Sequence, residues 1–365
     1  MAQGSGLRAQ GEAAHSENLN DLKLLSVIIP AYNTAKFLNK CVASIAEQTY
    51  QNIEIVIVNN GSTDSTPEIC EELKAKYNNR IFKIINLNPN QGINFARRAG
   101  FEAASGDYVT TIDSDDYIDL SAYEKAIKVL EENNLDMVQF GYYDVYTDGR
   151  IIEAHKLQPV KFNNARDSFK NFASIIIDHL TLLWDKVYKR ELFENLEWPK
   201  VSYTEDYCTD VQLFAKAEKF MSIEDIFYYH MRNPDSVCNS KVLNKQRITD
   251  LLSGINFVNE FTAQATPEFL PEILYYSINL HFDIIILNIL SGKPEIQELI
   301  NQCIKMLEQD YKRMKQELKA QGRDLYCNKK LIRKTKIHLS LLIHCPSLYK
   351  FYLKTRLKIK ALTGI

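Results

Sequence analysis

Tyr108-Val109-Thr110-Thr111-Ile112-Asp113-Ser114-Asp115-Asp116 is an apolar, β-branched run that ends in carboxylates. The run predicts a buried strand. Ionised carboxylates do not stay unpaired in such a core, so they belong at the strand's C-terminal edge, in a crevice. On an extended backbone alternate residues share a face. That predicts Asp113 and Asp115 side by side, with Asp116 turned away. Two parallel carboxylates repel unless a cation bridges them, and an all-oxygen site suits a hard divalent ion such as Mg²⁺ or Mn²⁺. The competing reading is a polar turn that caps the next helix.

Upstream, Leu24 to Pro30 and Ile53 to Val58 are near-continuous apolar runs, the pattern of central parallel strands covered on both faces. A shorter strand is predicted over Phe82 to Asn86. Helical spacing recurs between them: Phe37 to Ala46, Thr66 to Tyr77, and Phe95 to Ala103 after Gly92. Alternating strands and helices imply a parallel, twisted, Rossmann-like α/β sheet with helices on both faces. Ligands of such sheets bind beyond the carboxyl ends of the strands. Tyr32/Asn33, Asn59/Asn60 and Asp113/Asp115 all fall at such ends.

Downstream, a helix is predicted from Leu120 to Asn133, a strand from Asp136 to Tyr146, and a hairpin or loop over 147–165. Thr204-Glu205-Asp206 opens a helix running to Ala217, with acids in the first turn where the helix dipole favours them. Ile226 to Arg232 reads as a further strand. After about Lys241 strand signals stop and the period is helical. The organisation expected is a leader over 1–22, a catalytic α/β unit over 23–240 with halves 23–120 and 121–240, and a helical C-terminal region over 241–365.

The chain has 365 residues, 45% hydrophobic and 25% charged, with net charge −2. No global field attracts nucleic acid, and no nucleic-acid partner is expected. Seven cysteines stand singly, without a C-x-x-C pair, which points to a reducing compartment and away from a disulfide framework or structural zinc. No apolar run is long enough for a transmembrane helix. Residues 1–22 are small and polar, without a signal-peptide core, and are read as a disordered leader.

Several segments together resemble family 2 glycosyltransferases. They are Ser26 to Asn33, Gln48-Thr49-Tyr50, Val58 to Asp64, Asn90-Gln91-Gly92 with Ala96-Arg97, and Gly106-Asp107-Tyr108 with Asp113 to Asp116. The resemblance is dense over 24–120 and looser over 180–240. It implies the GT-A fold and an inverting enzyme that takes a nucleotide-diphosphate sugar, UDP-linked by expectation, with Mn²⁺ or Mg²⁺. The acceptor implied is a saccharide or lipid-linked saccharide of capsule, O-antigen or exopolysaccharide synthesis.

By the same resemblance, Pro30, Tyr32, Asn33, Asn59, Asn60, Arg97, Asp113, Ser114 and Arg232 bind the nucleotide sugar. Asp113, Asp115 and His230 hold the metal. Asp206 is the base, with Glu205 second, and Trp184 and Lys186 line the acceptor side. Where the family usually has Val-Asp-Asp-Gly-Ser, this chain has Val58-Asn59-Asn60-Gly61-Ser62; an Asn carbonyl can still accept a uracil N3–H, without charge. Plain structural roles compete throughout: a packed Tyr32, a solvated Arg97, helix-capping acids at Glu205-Asp206, a surface Lys186, a core His230.

The basic, apolar stretch Lys329 to Lys360 is weighed as a peripheral membrane contact against a packed helical cap, and the helical region as a cleft cover against a homodimer interface. The expected location is the cytoplasm, at the inner face of the membrane. Two rival functions stand beside the enzyme. One is a catalytically weakened relative that binds a sugar nucleotide or a partner. The other is a dinucleotide oxidoreductase, disfavoured because no G-x-G-x-x-G follows the first strand.

Overall fold

Leu25–Ala31 (β1) and Ile53–Asn60 (β2) are buried at every position, as a strand covered on both faces requires. The computed structural model describes residues 22–175, 181–232, 244–291 and 296–323, with isolated positions at 338, 340–342 and 349. Val27, Ile29, Ile55 and Ile57 point into one apolar cluster. Ile28 and Val56 point into another on the opposite face.

Beside β1 and β2 lie Ile81–Leu87 (β3) and Tyr108–Thr111 (β4). All four are mutually parallel, in the order β3-β2-β1-β4. The helices Leu38–Ala46 (α1), Thr66–Lys76 (α2) and Ile93–Ala103 (α3) connect them. α3 lies directly on β1 because Gly100 leaves room: a Cβ there would stand 2.3 Å from Ile28 Cγ2. That close approach carries Arg97, one turn earlier, toward the strand ends.

The sheet continues past β4 through Lys186–Lys189 (β9), Met137–Val145 (β6), Phe220–Met231 (β10) and Tyr117–Ile118 (β5). β9 runs antiparallel to both β4 and β6, while β6 and β10 are parallel. Thus the second half is mixed and the whole is mostly parallel. The expected hairpin region forms two short strands, Ile151–His155 (β7) on β6 and Val160–Phe162 (β8) on β10. Ala122–Asn133 (α4), Ala165–Ile175 (α5) and Glu205–Lys216 (α6) cover the faces.

One expectation is corrected. The acidic tip is not extended: β4 stops at Thr111, and the Asp116 N–H donates to the Asp113 carbonyl at 3.0 Å, closing a turn. The alternation argument therefore does not govern where these carboxylates point. Asp116 is nonetheless turned inward, and is 2% exposed.

Beyond the sheet, Lys245–Ala265 (α7), Leu270–Ser291 (α8) and Gln297–Ala320 (α9) share a third apolar cluster built on Ile255, Leu274, Ile278, Ile300 and Leu307. α7 rests against the start of α6. A Cβ on Gly254 would fall 1.8 Å from Thr204 Oγ1, so only glycine permits this contact. Gly254→Ala is expected to cost about 1–3 kcal/mol by overpacking, read as a lower midpoint in urea. No helix among the described residues is long and apolar enough to cross a membrane. Residues 1–21 of the leader and nearly all of 329–365 lie outside the described residues.

Candidate active site

The carboxyl ends of β1, β2 and β4 meet at one rim. Pro30, next to the last residue of β1, lies beyond the last β4 pair, Ile28 with Thr111, where its missing N–H costs the β1–β4 ladder nothing. Asn33 has φ 52, a left-handed conformation that Asn tolerates better than most residues. There its Oδ1 accepts from Thr63 N–H at 2.8 Å, and its own N–H donates to Ser62 Oγ at 3.1 Å. Tyr32 beside it is 47% exposed.

Asn59 and Asn60 are buried and brace the rim from below. Asn59 Nδ2 donates to Asn86 Oδ1 at 2.9 Å, and its Oδ1 accepts from Ser62 N–H at 3.1 Å. Asn60 Nδ2 donates to the Gly92 carbonyl at 3.1 Å, and its Oδ1 accepts from Gln91 N–H at 3.0 Å. Carboxylates at these positions would lack the two N–H donors. That is a physical reason for amides here: they tie the β2 loop to the segment that opens α3.

Arg97 is the centre of charge. Its side chain is 2% exposed, and its guanidinium reaches three carboxylates, one in the turn after β4 and two at the start of α6. Nη2 meets Asp113 Oδ1 at 3.0 Å, while Nη1 meets Glu205 Oε1 at 3.4 Å and, more closely, Asp206 Oδ1. Burial by itself would lower the Arg97 pKa, but the charges of Asp206, Asp113 and Glu205 outweigh it and keep the group charged. One cation does not neutralise three anions. Burial, then the charge on Asp206, pushes Glu205 up to about 7. Burial raises Asp206 as well, against the pull of Arg97. Among the described residues Arg97 Nε is buried without a hydrogen-bond partner.

Asp115 stands apart from this network. Among the described residues its carboxylate has no ion-pair partner, and its own backbone N–H is the hydrogen bond it keeps. Burial, reinforced by the charge on Asp113, pushes it up to about 6, while His230 pulls the other way. Asp115 therefore lies within electrostatic reach of both Asp113 and His230. Asp116 is structural: it accepts from Tyr228 Oη at 2.7 Å and from Met231 N–H at 2.6 Å, pinning the turn to β10. Ser114 is buried within the turn.

The remaining expected residues lie at the start of β9 and the end of β10. Trp184 stacks on Tyr228 at 4.1 Å and on His230 at 5.6 Å between ring centroids. Lys186 is not at the surface. It is 2% exposed and paired with Asp185 at 2.7 Å and Asp210 at 3.3 Å. His230 and Arg232 both bond to Asp144, a residue that sequence reasoning missed along with His155 and Tyr228. A lone acid inside the aromatic strand Phe140-Gly141-Tyr142-Tyr143-Asp144 was the available signal.

Asp144, Glu153 and His155 are the one trio among the described residues whose metal-ligating atoms all lie within 4.8 Å of one another. Asp113, Asp115 and His230 do not form so tight a cage. Such an open set is what a cation completed by substrate oxygens needs.

Comparison with known proteins adds three findings. A family model described as glycosyl transferase family 2 matches residues 26–192. Over 215 residues the chain is 34% identical to glycosyltransferase GlyA of Streptococcus pneumoniae, covering 57% of this chain and 30% of that protein. It is 30% identical over 230 residues to glycosyltransferase GlyG of the same organism, covering 60% of this chain and 74% of the relative. Of EpsJ from Bacillus subtilis, an uncharacterized glycosyltransferase, the chain covers 63% at 31% identity. So it spans less than a third of one of these relatives and the greater part of another.

Among solved structures, Staphylococcus aureus TarS 1–349 in complex with UDP-GlcNAc superposes with TM-score 0.63 at 21% identity, over 79% of this chain and 81% of that one. The mannosyltransferase PcManGT of Pyrobaculum calidifontis, with GDP-Man and Mn²⁺, gives TM-score 0.52 at 16% identity, over 95% and 89%. At these identities the likeness speaks to architecture.

Proposed function

The chain belongs to glycosyl transferase family 2 and has the GT-A fold, and we propose that it is an inverting transferase. It moves a hexosyl or N-acetylhexosaminyl group from a UDP-sugar to a saccharide or lipid-linked saccharide during surface-polysaccharide synthesis. The observation that carries this reading is the Asp115 carboxylate, which has no counter-charge within ion-pair distance among the described residues, beside the network of Arg97, Asp113, Glu205 and Asp206. A carboxylate left half-buried and unpaired is costly unless something occupies it.

The donor set fits a divalent cation. Asp113 spends Oδ1 on Arg97, Asp115 has no ion-pair partner among the described residues, and His230 stands nearby. Oxygen ligands with one imidazole suit Mn²⁺, and Mg²⁺ with more water. When bound, the cation supplies Lewis-acid stabilisation of the charge developing on the leaving diphosphate.

The rest is work for the chain's own groups. Asp206 accepts the proton of the acceptor hydroxyl as that oxygen attacks the anomeric carbon opposite the diphosphate. Arg97 holds Asp206 and Asp113 in one arrangement, so acceptor and donor sides are aligned before substrate arrives. Tyr32 and Asn33 offer the exposed rim for the nucleotide. Trp184 packs behind His230 on the acceptor side. The protein acts in the cytoplasm at the inner membrane face, where a lipid-linked acceptor is reachable.

The experiment is nucleotide release from a panel of UDP-sugars with Mn²⁺ or Mg²⁺. UDP should appear with at least one donor and require the metal. Asp115→Ala should lower release by about 10²–10³-fold, the rate equivalent of several kcal/mol of lost charge stabilisation. Full wild-type turnover in chelator would remove the cation from the reading. Binding of UDP-sugars without release from any would favour the weakened relative.

A further inference from the structure

His230 and Asp144 face each other in the β6–β10 ladder. The register pairs them directly, which puts both side chains on one face. Asp144 is 2% exposed, and its carboxylate accepts three donors. Oδ1 bonds to His230 Nδ1 at 2.8 Å, while Oδ2 bonds to His155 Nε2 at 3.0 Å and to Arg232 Nη2 at 2.6 Å. A charge buried in a strand of aromatics is expensive, and an apolar residue would pack there at lower cost.

The bond has a chemical consequence for the ring. A neutral imidazole that donates from Nδ1 must carry its lone pair on Nε2. Trp184 packs against the His230 ring at 5.6 Å between centroids. The strand itself is fastened to the acidic turn: Asp113 N–H donates to Tyr228 Oη at 3.2 Å, Tyr228 Oη donates to Asp116, and Met231 N–H donates to Asp116. His230 lies between those two attachment points along β10.

Building on the cation site read above, we propose that Asp144 is a positioning residue. It fixes His230 in the Nδ1–H tautomer and so presents Nε2 to a divalent cation held at Asp113 and Asp115. A carboxylate behind a metal-binding histidine orients the ring and raises its basicity, and losing such a partner costs about 10–100-fold in metal affinity.

The test uses the full chain with ¹⁵N-labelled histidine, His230 being assigned by loss of its signals in His230→Gln. Wild type should give the Nδ1–H pattern, and Asp144→Ala should move it toward Nε2–H. Mn²⁺ affinity, followed by the electron-paramagnetic signal of free Mn²⁺ with UDP present, should fall by about 10–100-fold in Asp144→Ala. In His230→Gln the added Asp144→Ala change should have no further effect. If Asp144→Ala does not fold, Asp144→Asn serves: one carbonyl cannot satisfy three donors, and its loss of affinity should likewise vanish in His230→Gln.

An unchanged His230 pattern, or an Asp144 effect that adds in full to His230→Gln, overturns the proposal. Asp115→Ala separates the two levels of inference. If it weakens Mn²⁺ binding while Asp144 and His230 variants do not, the cation site stands and the role of Asp144 falls. If His155→Ala abolishes binding and Asp115→Ala does not, the cation sits at Asp144, Glu153 and His155, and both fall.

Discussion

Asp206→Asn is expected to lower turnover by about 10²–10⁴-fold, the range that a positioned general base contributes. Asparagine keeps the shape of the side chain and can still accept from Arg97, but it cannot take up a proton. Donor binding should change little, so the loss should fall on kcat rather than on KM. The pH profile carries a second signature. Asp206 shares Arg97 with Glu205, which burial pushes up to about 7. The two acids therefore titrate as a coupled pair. The wild-type rate should rise with pH through an apparent value well above that of a free carboxylate. In Asp206→Asn that limb should flatten. Near-normal turnover in this variant would pass the role to Glu205, and Glu205→Gln would then show the larger loss.

Arg97→Met should have the largest effect on stability, about 3–5 kcal/mol, the usual result of leaving a buried ionic partner uncompensated. The cost depends on pH in a fixed direction. An acid whose folded pKa lies above its unfolded value binds its proton more tightly when folded. Its contribution to stability is then lost as pH rises through the interval between the two values. Wild type already has that property at Glu205, between 4.5 and about 7, and at Asp115, between 3.8 and about 6. Without Arg97 the Glu205 and Asp206 carboxyls lose their main counter-charge, and the interval widens upward. Urea midpoints at pH 5 and pH 8 should therefore diverge more in Arg97→Met than in wild type. Equal losses at the two pH values would mean the guanidinium acts through packing alone. Arg97→Lys should recover part of the stability and little activity, because one ammonium on a flexible stem cannot span three carboxylates as a planar fork does.

The parallel half of the sheet was legible because its information is local. β1, β2 and β4 announce themselves as apolar runs with turns behind them, and the helices between them by their spacing. The same locality explains the gaps. His230 lies 86 residues from Asp144 and Arg97 lies 109 from Asp206, and neither pairing leaves a mark in its own neighbourhood. Lys186 reads as an acceptor-side residue, or else a surface lysine, until Asp185 and Asp210 are brought around it. The acidic tip invited an extended reading, yet a turn forms as soon as β4 runs out of partners, because the Asp116 carboxylate finds Tyr228 and Met231 N–H. Asn59 and Asn60 read as altered base contacts, while the structure has them bracing two loops. The helices after residue 244 were legible as periodic segments, but their contact with α6 depends on one missing Cβ.

That missing Cβ bears on how enzymes of this kind are recombined. A chimera that joins another protein's C-terminal helices to this sheet would meet it directly. Here such a chimera would succeed only if the graft brought glycine at position 254 or a smaller residue at 204. Any side chain at 254 would press on Thr204, and through it on the two acids that open α6. The junction belongs ahead of Thr204, so that α6 and α7 travel as one cassette.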